Sequence, residues 1–218
     1  MKIDLHVHTK EVSICGHMPA AEVVRRYKNA GYDCIVITNH FNTHTANHFE
    51  AQGVTDFFKH YNDSYLLAKE EGEKAGLLVL GGYEIRFDES DSDYLVYGMK
   101  EDTAKDCKNL FAMRPRDFAA VAAEQGFLFY QAHPFRNNMK ITNPELLFGI
   151  EIKNGNPRHD SRNDVAEIWA KKYNMHMIAG SDAHRPEDVG VTGIITDREV
   201  KNVNDLISVL STDGYTII

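Results

Sequence analysis

The chain has 218 residues, 43% of them hydrophobic and 26% charged, which fits one globular domain, 1–218, with room for a substantial core. No apolar run approaches the length of a membrane span, and the polar start Met1-Lys2-Ile3-Asp4 is not that of a signal peptide, so no membrane partner is expected. A formal net charge of −8 argues against a broad nucleic-acid footprint, and three cysteines (Cys15, Cys34, Cys107) without metal-type spacing suit the reducing cytoplasm better than a disulfide framework.

Residues 2–9 read as a short strand ending in His6-Val7-His8. Side chains alternate along a strand, so both imidazoles face one way, with Asp4 a step earlier on the same face. That is a natural start for a metal site, although two unrelated histidines on an edge strand give the same pattern. The loop 10–18 offers Glu11, Cys15 and His17 as further ligands. Pro19 opens a helix over 20–30, with Val23, Val24 and Tyr27 as its apolar stripe, and Gly31 stops it. A buried strand at 34–38 ends in Asn39-His40, and the polar, histidine-rich stretch 41–53 is long enough to be a lid. Thr55 is placed to cap a helix running to about Gly76. A strand at 77–80 then leads through Gly81-Gly82 to Tyr83-Glu84, and the acidic run 88–93 precedes a strand at 94–98. A helix over 115–125 is followed by a strand at 127–130 that delivers His133-Pro134. Strand 150–153, helix 160–173 and strand 175–179 lead to Gly180-Ser181-Asp182-Ala183-His184. The tail holds 191–196, a helix over 203–210 and a last strand at 215–218.

Apolar strands alternating with amphipathic helices indicate an α/β protein with largely parallel strands. Strand after strand ends in a histidine or carboxylate: His6 and His8, His40, Glu84, His133, then Asp182 and His184. In a β/α barrel these ends converge on one rim, whereas an open sheet would spread them along an edge, so a barrel of about seven strands is expected. Each residue alone has a bland reading, such as a strand cap, a solvated carboxylate or a turn. The metal reading rests on all five strand ends together.

Five stretches, Asp4-Leu5-His6-Val7-His8-Thr9, Thr38-Asn39-His40, Gly82-Tyr83-Glu84, Ala132-His133-Pro134 and Gly180-Ser181-Asp182-Ala183-His184, occur in the order and spacing of the PHP (polymerase and histidinol phosphatase) family. The sequence resembles that family over nearly its whole length. The resemblance implies a distorted (β/α)7 TIM-like barrel and a metal-dependent phosphoesterase with two to three divalent ions, trinuclear when full. By it, His6, His8, Glu84 and Asp182 hold a first metal, Glu84 bridges to a second bound also by His133, and His40 and His184 hold a third. The family usually places an Asp or His in the loop after His-x-His. Here Glu11 is the expected third-metal ligand, ahead of Cys15 and His17. Where the strand after Glu84 often supplies a histidine, Asp93 is expected to serve the second metal. Mixed His/Asp/Glu ligation suits Zn²⁺, Mn²⁺ or Fe²⁺.

The expected chemistry is hydrolysis of a small phosphomonoester, a metabolite or nucleotide, by metal-bound hydroxide. His184 is placed to protonate the leaving oxygen, and Arg136 to hold phosphate oxygens bidentately. Arg185, Lys153 and Asn154 are further substrate-binding candidates, Arg86 and Arg158 read equally well as solvated charges, and Asp4 takes a structural role. Three rivals remain at this stage: an amidohydrolase-like barrel, whose bridging lysine is not evident; a PHP-type nuclease, against which the acidic balance weighs; and a non-catalytic metal-binding module. The expected partner is a small phosphorylated substrate in the cytoplasm, rather than nucleic acid or a membrane.

Overall fold

The computed structural model describes residues 1–218. In chain order its strands are β1 (Lys2–Val7), β2 (Cys34–Ile37), β3 (His40–Phe41), β4 (Leu78–Gly81), β5 (Tyr83–Arg86), β6 (Asp93–Tyr97), β7 (Leu128–Gln131), β8 (Gly149–Asn154), β9 (His176–Gly180), β10 (Ile194–Ile195) and β11 (Thr216–Ile217). The helices are α1 (Ala20–Asn29), α2 (Thr43–Glu50), α3 (Phe57–Ala75), α4 (Glu101–Lys105), α5 (Cys107–Phe111), α6 (Pro115–Gln125), α7 (Asn163–Tyr173) and α8 (Val203–Ser211). No helix is long and apolar enough to cross a membrane.

Past its first residue β1 is buried throughout, as a strand with neighbours on both edges and cover on both faces must be. The strands form two sheets, ordered β11-β10-β1-β2-β4 and β3-β5-β6-β7-β8-β9. The sheets share two chain segments, because β2 runs on into β3 and β4 into β5 with only a bend between. Gly82 N–H donates to Ile37 O at 2.9 Å and Glu84 N–H to Asn39 O at 3.2 Å, which carries the pairing across those bends. On the far side β1 meets the chain just beyond β9 through a parallel bridge between Val7 and Ala183. That approach requires glycine at 180, where a Cβ would lie 2.3 Å from the Cβ of His6.

Two expectations change here. The sheet is not uniformly parallel, since β6 runs antiparallel to both β5 and β7. The connection from β5 to β6 is too short for the dozen or so residues a parallel crossover needs. The stretch 41–53 is not a loose lid either. Asn42 Oδ1 accepts the Thr45 N–H at 2.9 Å and starts α2, while Phe41 is wedged among Phe57, Tyr61 and Phe111 with ring centroids 4.8–5.5 Å away. The next helix is capped by Asp56, one residue later than Thr55, through the Lys59 N–H.

The space between the sheets is filled by Ile3, Leu5, Val36, Leu95, Tyr97, Tyr130 and Ile178, with Leu206, Val209 and Leu210 of α8 packed into the same cluster. A second, phenylalanine-rich cluster (Phe41, Phe87, Phe118, Phe129) joins the second sheet to α3–α6, and a third lies beneath α1 and α3. The strands therefore start in apolar packing and end in polar side chains. The site is built at those ends.

Candidate functional site

Glu84, at the second position of β5, lies in the middle of the cluster and is 1% exposed. Its Oε1 is 3.3 Å from His6 Nε2 and 3.1 Å from His133 Nε2, and its Oε2 is 3.4 Å from His8 Nε2 and 2.7 Å from His40 Nδ1. Asp182 Oδ1 faces the same space, 3.6 Å from His6 Nε2, 3.4 Å from His8 Nε2 and 3.3 Å from His184 Nδ1. Three groups of donor atoms result: His6–His8–Asp182, His6–Glu84–His133 and His8–His40–His184, each with its atoms within 4.8 Å of one another.

The donor set fits divalent cations. His6 Nε2, His8 Nε2, His40 Nδ1, Glu84 Oε2 and His133 Nδ1 are all buried without a well-aligned hydrogen bond, His40 Nδ1 and Glu84 Oε2 meeting each other at 2.7 Å. Leaving one such atom unsatisfied costs about 1–3 kcal/mol, so five in one cluster mark a place meant for something positive. Two of the residues also hold strained backbones. His133 (φ +29°) and Asp182 (φ +51°) lie in the left-handed region, a cost of order 1–3 kcal/mol each that persists where surrounding contacts enforce it.

Those contacts come from residues the sequence reading passed over. Glu151 on β8 is buried; its Oε1 is 2.9 Å from His6 Nδ1, and its Oε2 accepts the His133 N–H and the Asn154 side-chain amide, each at 2.9 Å. Ser13 Oγ lies 2.8 Å from His8 Nδ1 and donates to Asn39 Oδ1 at 2.9 Å. With Nδ1 engaged, each ring points Nε2 into the cluster. Asp4 takes the expected structural role: its carboxylate accepts the Tyr27 hydroxyl at 2.8 Å and both the N–H and the hydroxyl of Ser181, tying β1 to α1 and to the turn before Asp182. The only local mark of Glu151 is a carboxylate flanked by Ile150 and Ile152 on β8, which does not reveal its role.

The electrostatics follow from packing acids against imidazoles. Burial opposes ionising Glu84, but His40 and His6 outweigh it and hold the carboxyl well below its usual range. Asp182 is held down in the same way by His6, His184 and His8. Burial also opposes charging His6, and the charges of Glu151, Asp182 and Glu84 overcome it, raising that imidazole. His8 is pushed down by burial, then by His184 and His40. Partial burial raises the Cys15 thiol, but hydrogen bonds with His184 and His40 prevail and bring it down to about 6.

Of the expected residues, the fold brings together His6, His8, His40, Glu84, His133, Asp182, His184, Asn154 and Arg136. Arg136 Nη2 bonds Asp182 Oδ2 at 2.7 Å and Asn154 Oδ1 at 3.0 Å, so it is spent in part on a putting a carboxylate in place, while its Nε is buried and unpartnered. Three residues fall outside. Glu11 Oε1 accepts the Ala20 N–H at 3.0 Å, supplying the cap that Pro19 cannot give α1. Asp93 stands directly opposite Arg86 in the β5–β6 pair, and both its oxygens are taken by that guanidinium at 2.8 Å. Lys153 is exposed and borders a groove with Asp164, Glu167 and Met175 beside α7, not the cluster. Arg185 lies half-buried on the turn after His184. Arg158 is no free surface charge: it grips Asp188 through two bonds of 2.6 Å, and Asp188 Oδ2 accepts the N–H of His184 at 2.9 Å and of Arg185 at 2.8 Å.

Residues 160–213 match the PHP-associated family model. No curated protein matches the chain. Among solved structures, a two-domain protein from Bacteroides vulgatus, named for a predicted PHP-like metal-dependent phosphoesterase, is 22% identical over 100% of this chain, with a TM-score of 0.70. The chain spans 64% of that protein's length. An amidohydrolase from Chromobacterium violaceum is 14% identical over 100% of this chain and 98% of its own, with a TM-score of 0.58. Endonuclease Q in complex with a 27-mer duplex bearing an abasic lesion is 13% identical over 98% of this chain and 57% of its own, with a TM-score of 0.66.

The PHP resemblance read from the motifs is thus borne out by the family-model match and by the fold. The expectation about partners is not. The expectation that a nucleic-acid partner is unlikely is overturned, because a protein of similar fold, Endonuclease Q, receives a DNA duplex. A net charge of −8 is a property of the whole surface, whereas bound divalent ions set the field where a phosphate docks.

Proposed function

We propose that this chain is a metal-dependent phosphoesterase of PHP type, with 1–218 as one domain and the two sheets acting as a single distorted seven-stranded barrel. The observation that carries the reading is that Glu84 lies against His6, His8, His40 and His133, and Asp182 against His6, His8 and His184, in a cluster where His6 Nε2 and His8 Nε2 are buried without a hydrogen-bond partner. On this reading His6, His8, Glu84 and Asp182 hold one ion, Glu84 and His133 a second, and His40 and His184 a third. Zn²⁺, Mn²⁺ or Fe²⁺ in such a cluster lowers the pKa of water and neutralises charge building on phosphoryl oxygens.

The chain's own groups supply orientation and charge. Arg136 donates from Nη2 to both Asp182 and Asn154, which fix the guanidinium and leave Nε without a partner, to be offered to a phosphate oxygen. His184, 7% exposed at the edge of the cluster with Nδ1 turned to Asp182, is committed to the third ion and so does not also serve as proton donor to the leaving oxygen; Arg185 on the next residue adds positive charge at the mouth. A small phosphomonoester is the proposed substrate, supported by the burial of His6 and His8 at 0% and of Asp182 at 2% exposed, which leaves approach past His40 and His184. The three free cysteines support a cytoplasmic setting.

The test is phosphate release by protein loaded separately with Zn²⁺, Mn²⁺ and Fe²⁺, across small phosphomonoesters, phosphodiesters and duplex or single-stranded DNA. Turnover of a monoester that is lost in Glu84→Gln supports the proposal. Cleavage confined to DNA replaces the substrate class, and hydrolysis of amides with none of any phosphate ester overturns the reaction.

A further inference from the structure

The loop that follows His8 was expected to give the outer metal a carboxylate, yet Glu11 turns to α1, where Oε1 accepts the Ala20 N–H and Oε2 is buried without a partner. What the loop presents instead is sulfur. We infer that Cys15 is a thiolate ligand, with His40 and His184, of the outermost ion in the cluster, and that this donor set selects Zn²⁺ over Mg²⁺ and Mn²⁺. The inference rests on the metal-centre part of the proposed function and is independent of the substrate.

Cys15 Sγ lies 3.2 Å from His40 Nε2, and His40 Nε2 lies 3.5 Å from His184 Nε2. In a tetrahedral zinc site with bonds of about 2.3 Å to sulfur and about 2.05 Å to nitrogen, the sulfur–nitrogen edge is about 3.6 Å and the nitrogen–nitrogen edge about 3.3 Å. The observed separations are within a few tenths of an ångström of those edges. His8 belongs to the same donor group, and its buried Nε2 has no hydrogen-bond partner, so the thiol joins a cluster that already calls for a cation.

The loop is fastened on both sides of the thiol. Ser13 is held by His8 and Asn39, Gly16 N–H donates to Ser13 O at 2.7 Å, and His17 N–H donates to His184 O at 2.8 Å. That last bond couples the cysteine loop directly to the turn carrying His184. At Gly16 a Cβ would come within 2.9 Å of Ser13 O, so the tight turn that presents Cys15 needs glycine. Cys15 is solvent-exposed and fills no apolar core, which removes the usual packing reason for a cysteine. Thiolate and imidazole together favour Zn²⁺, whereas Mg²⁺ and Mn²⁺ prefer oxygen donors. The other thiols are occupied elsewhere, Cys34 with Ile35 O and Cys107 with Ala104 O, so a sulfur signal from the site has one source.

The test is a Co²⁺ titration of the full-length protein after chelator treatment, read by absorbance. The expected result is a near-ultraviolet sulfur-to-cobalt charge-transfer band that is absent in Cys15→Ser and retained in Cys107→Ser, while the visible bands of cobalt at the remaining sites persist in both. Circular dichroism checks that Cys15→Ser is folded. In parallel, Zn²⁺ should slow alkylation of Cys15 by an order of magnitude or more in the wild type, since a coordinated thiolate is withdrawn from reaction. Cys15→Asp should keep the third ion but move its preference toward Mn²⁺ in competition. Co²⁺ binding without a charge-transfer band, or a band that survives in Cys15→Ser, overturns the assignment. Phosphate-ester hydrolysis by a protein that lacks the band sinks the thiolate ligand alone, and a band without hydrolysis sinks the phosphoesterase reading alone.

Discussion

The inner and outer halves of the cluster are built on different principles. Inside, His6, Glu84, His133 and Asp182 are 0–2% exposed, and Glu151 braces His6 and His133 from behind. Outside, His40 is one-fifth exposed, its neighbour Cys15 is at the surface, and the turn bearing His184 is held through Asp188 and Arg158. The inner half takes its rigidity from a buried carboxylate bonded directly to the histidines, and the outer half takes its order from a partly buried ion pair acting through the backbone and from a loop. Ligand exchange and substrate entry belong on the side that can yield, and fixed charge on the side that cannot.

Four substitutions test that contrast. Glu84→Gln alters the carboxylate that touches four imidazoles across both halves, and phosphate-ester turnover should fall by more than about 100-fold with loss of bound metal, beyond what altering a residue behind the ligands costs. Steady-state rates alongside elemental metal analysis give the answer, and retention of both would mean Glu84 is not shared between ions. Glu151→Gln leaves every proposed ligand in place but weakens the brace, so metal affinity or activity should drop about 10–100-fold. An unaffected Glu151→Gln protein would show that the inner rings need no such support.

Arg158→Ala loosens the outer half. Burial raises the Asp188 carboxyl, but the Arg158 guanidinium and the N–H groups of His184 and Arg185 hold it below the usual range. A depressed acid stabilises the fold at neutral pH and loses that contribution as the pH falls through its folded value. Thermal unfolding of the wild type should therefore weaken on acidification more than that of Arg158→Ala, with a difference at pH 7 of about 1–3 kcal/mol for charged hydrogen bonds. Equal slopes for the two proteins would remove Asp188 from the account. The smallest effect belongs to Glu11→Gln, which should cost about 1 kcal/mol or less through the α1 cap and leave metal content as it was. A lost ion in Glu11→Gln would restore Glu11 as a ligand.

How far the sequence could be read depended on what kind of contact placed each residue. His6 and His8, His40, Glu84, His133 and Asp182 were legible because a strand fixes which way its last side chains face, and five strand ends agreed. The ends of α1, α3, α6, α7 and α8 were legible to within a few residues, Pro115–Gln125 in full, whereas α2, α4 and α5, short and without a long apolar stripe, were not read as helices. Asp93 misled because the resemblance calls for a ligand on the strand after Glu84, while the antiparallel hairpin sets Asp93 against Arg86. Glu11 and Cys15 sit four residues apart in one loop, and only the fold of that loop, with His17 bonded to His184, decides which of them meets the histidines. Glu151 was invisible for a further reason. Its role exists only between β8, β1 and the turn after β7, which no local pattern reports.

The seam at Gly180 has a consequence for how the protein acquires its site. His6 and Asp182 belong to opposite ends of the chain, and their neighbours meet through His8 N–H to Ala183 O at 3.1 Å and through the hold of Asp4 on Ser181. Contacts this distant in sequence bear the largest loop-closure cost and form late. A chain emerging from the ribosome can assemble β1 through β8 and still lack the carboxylate that completes the inner group. On the proposed reading, tight metal affinity would arrive only at the end of folding, and an ion held by both His6 and Asp182 would lock the first strand to the turn after the ninth.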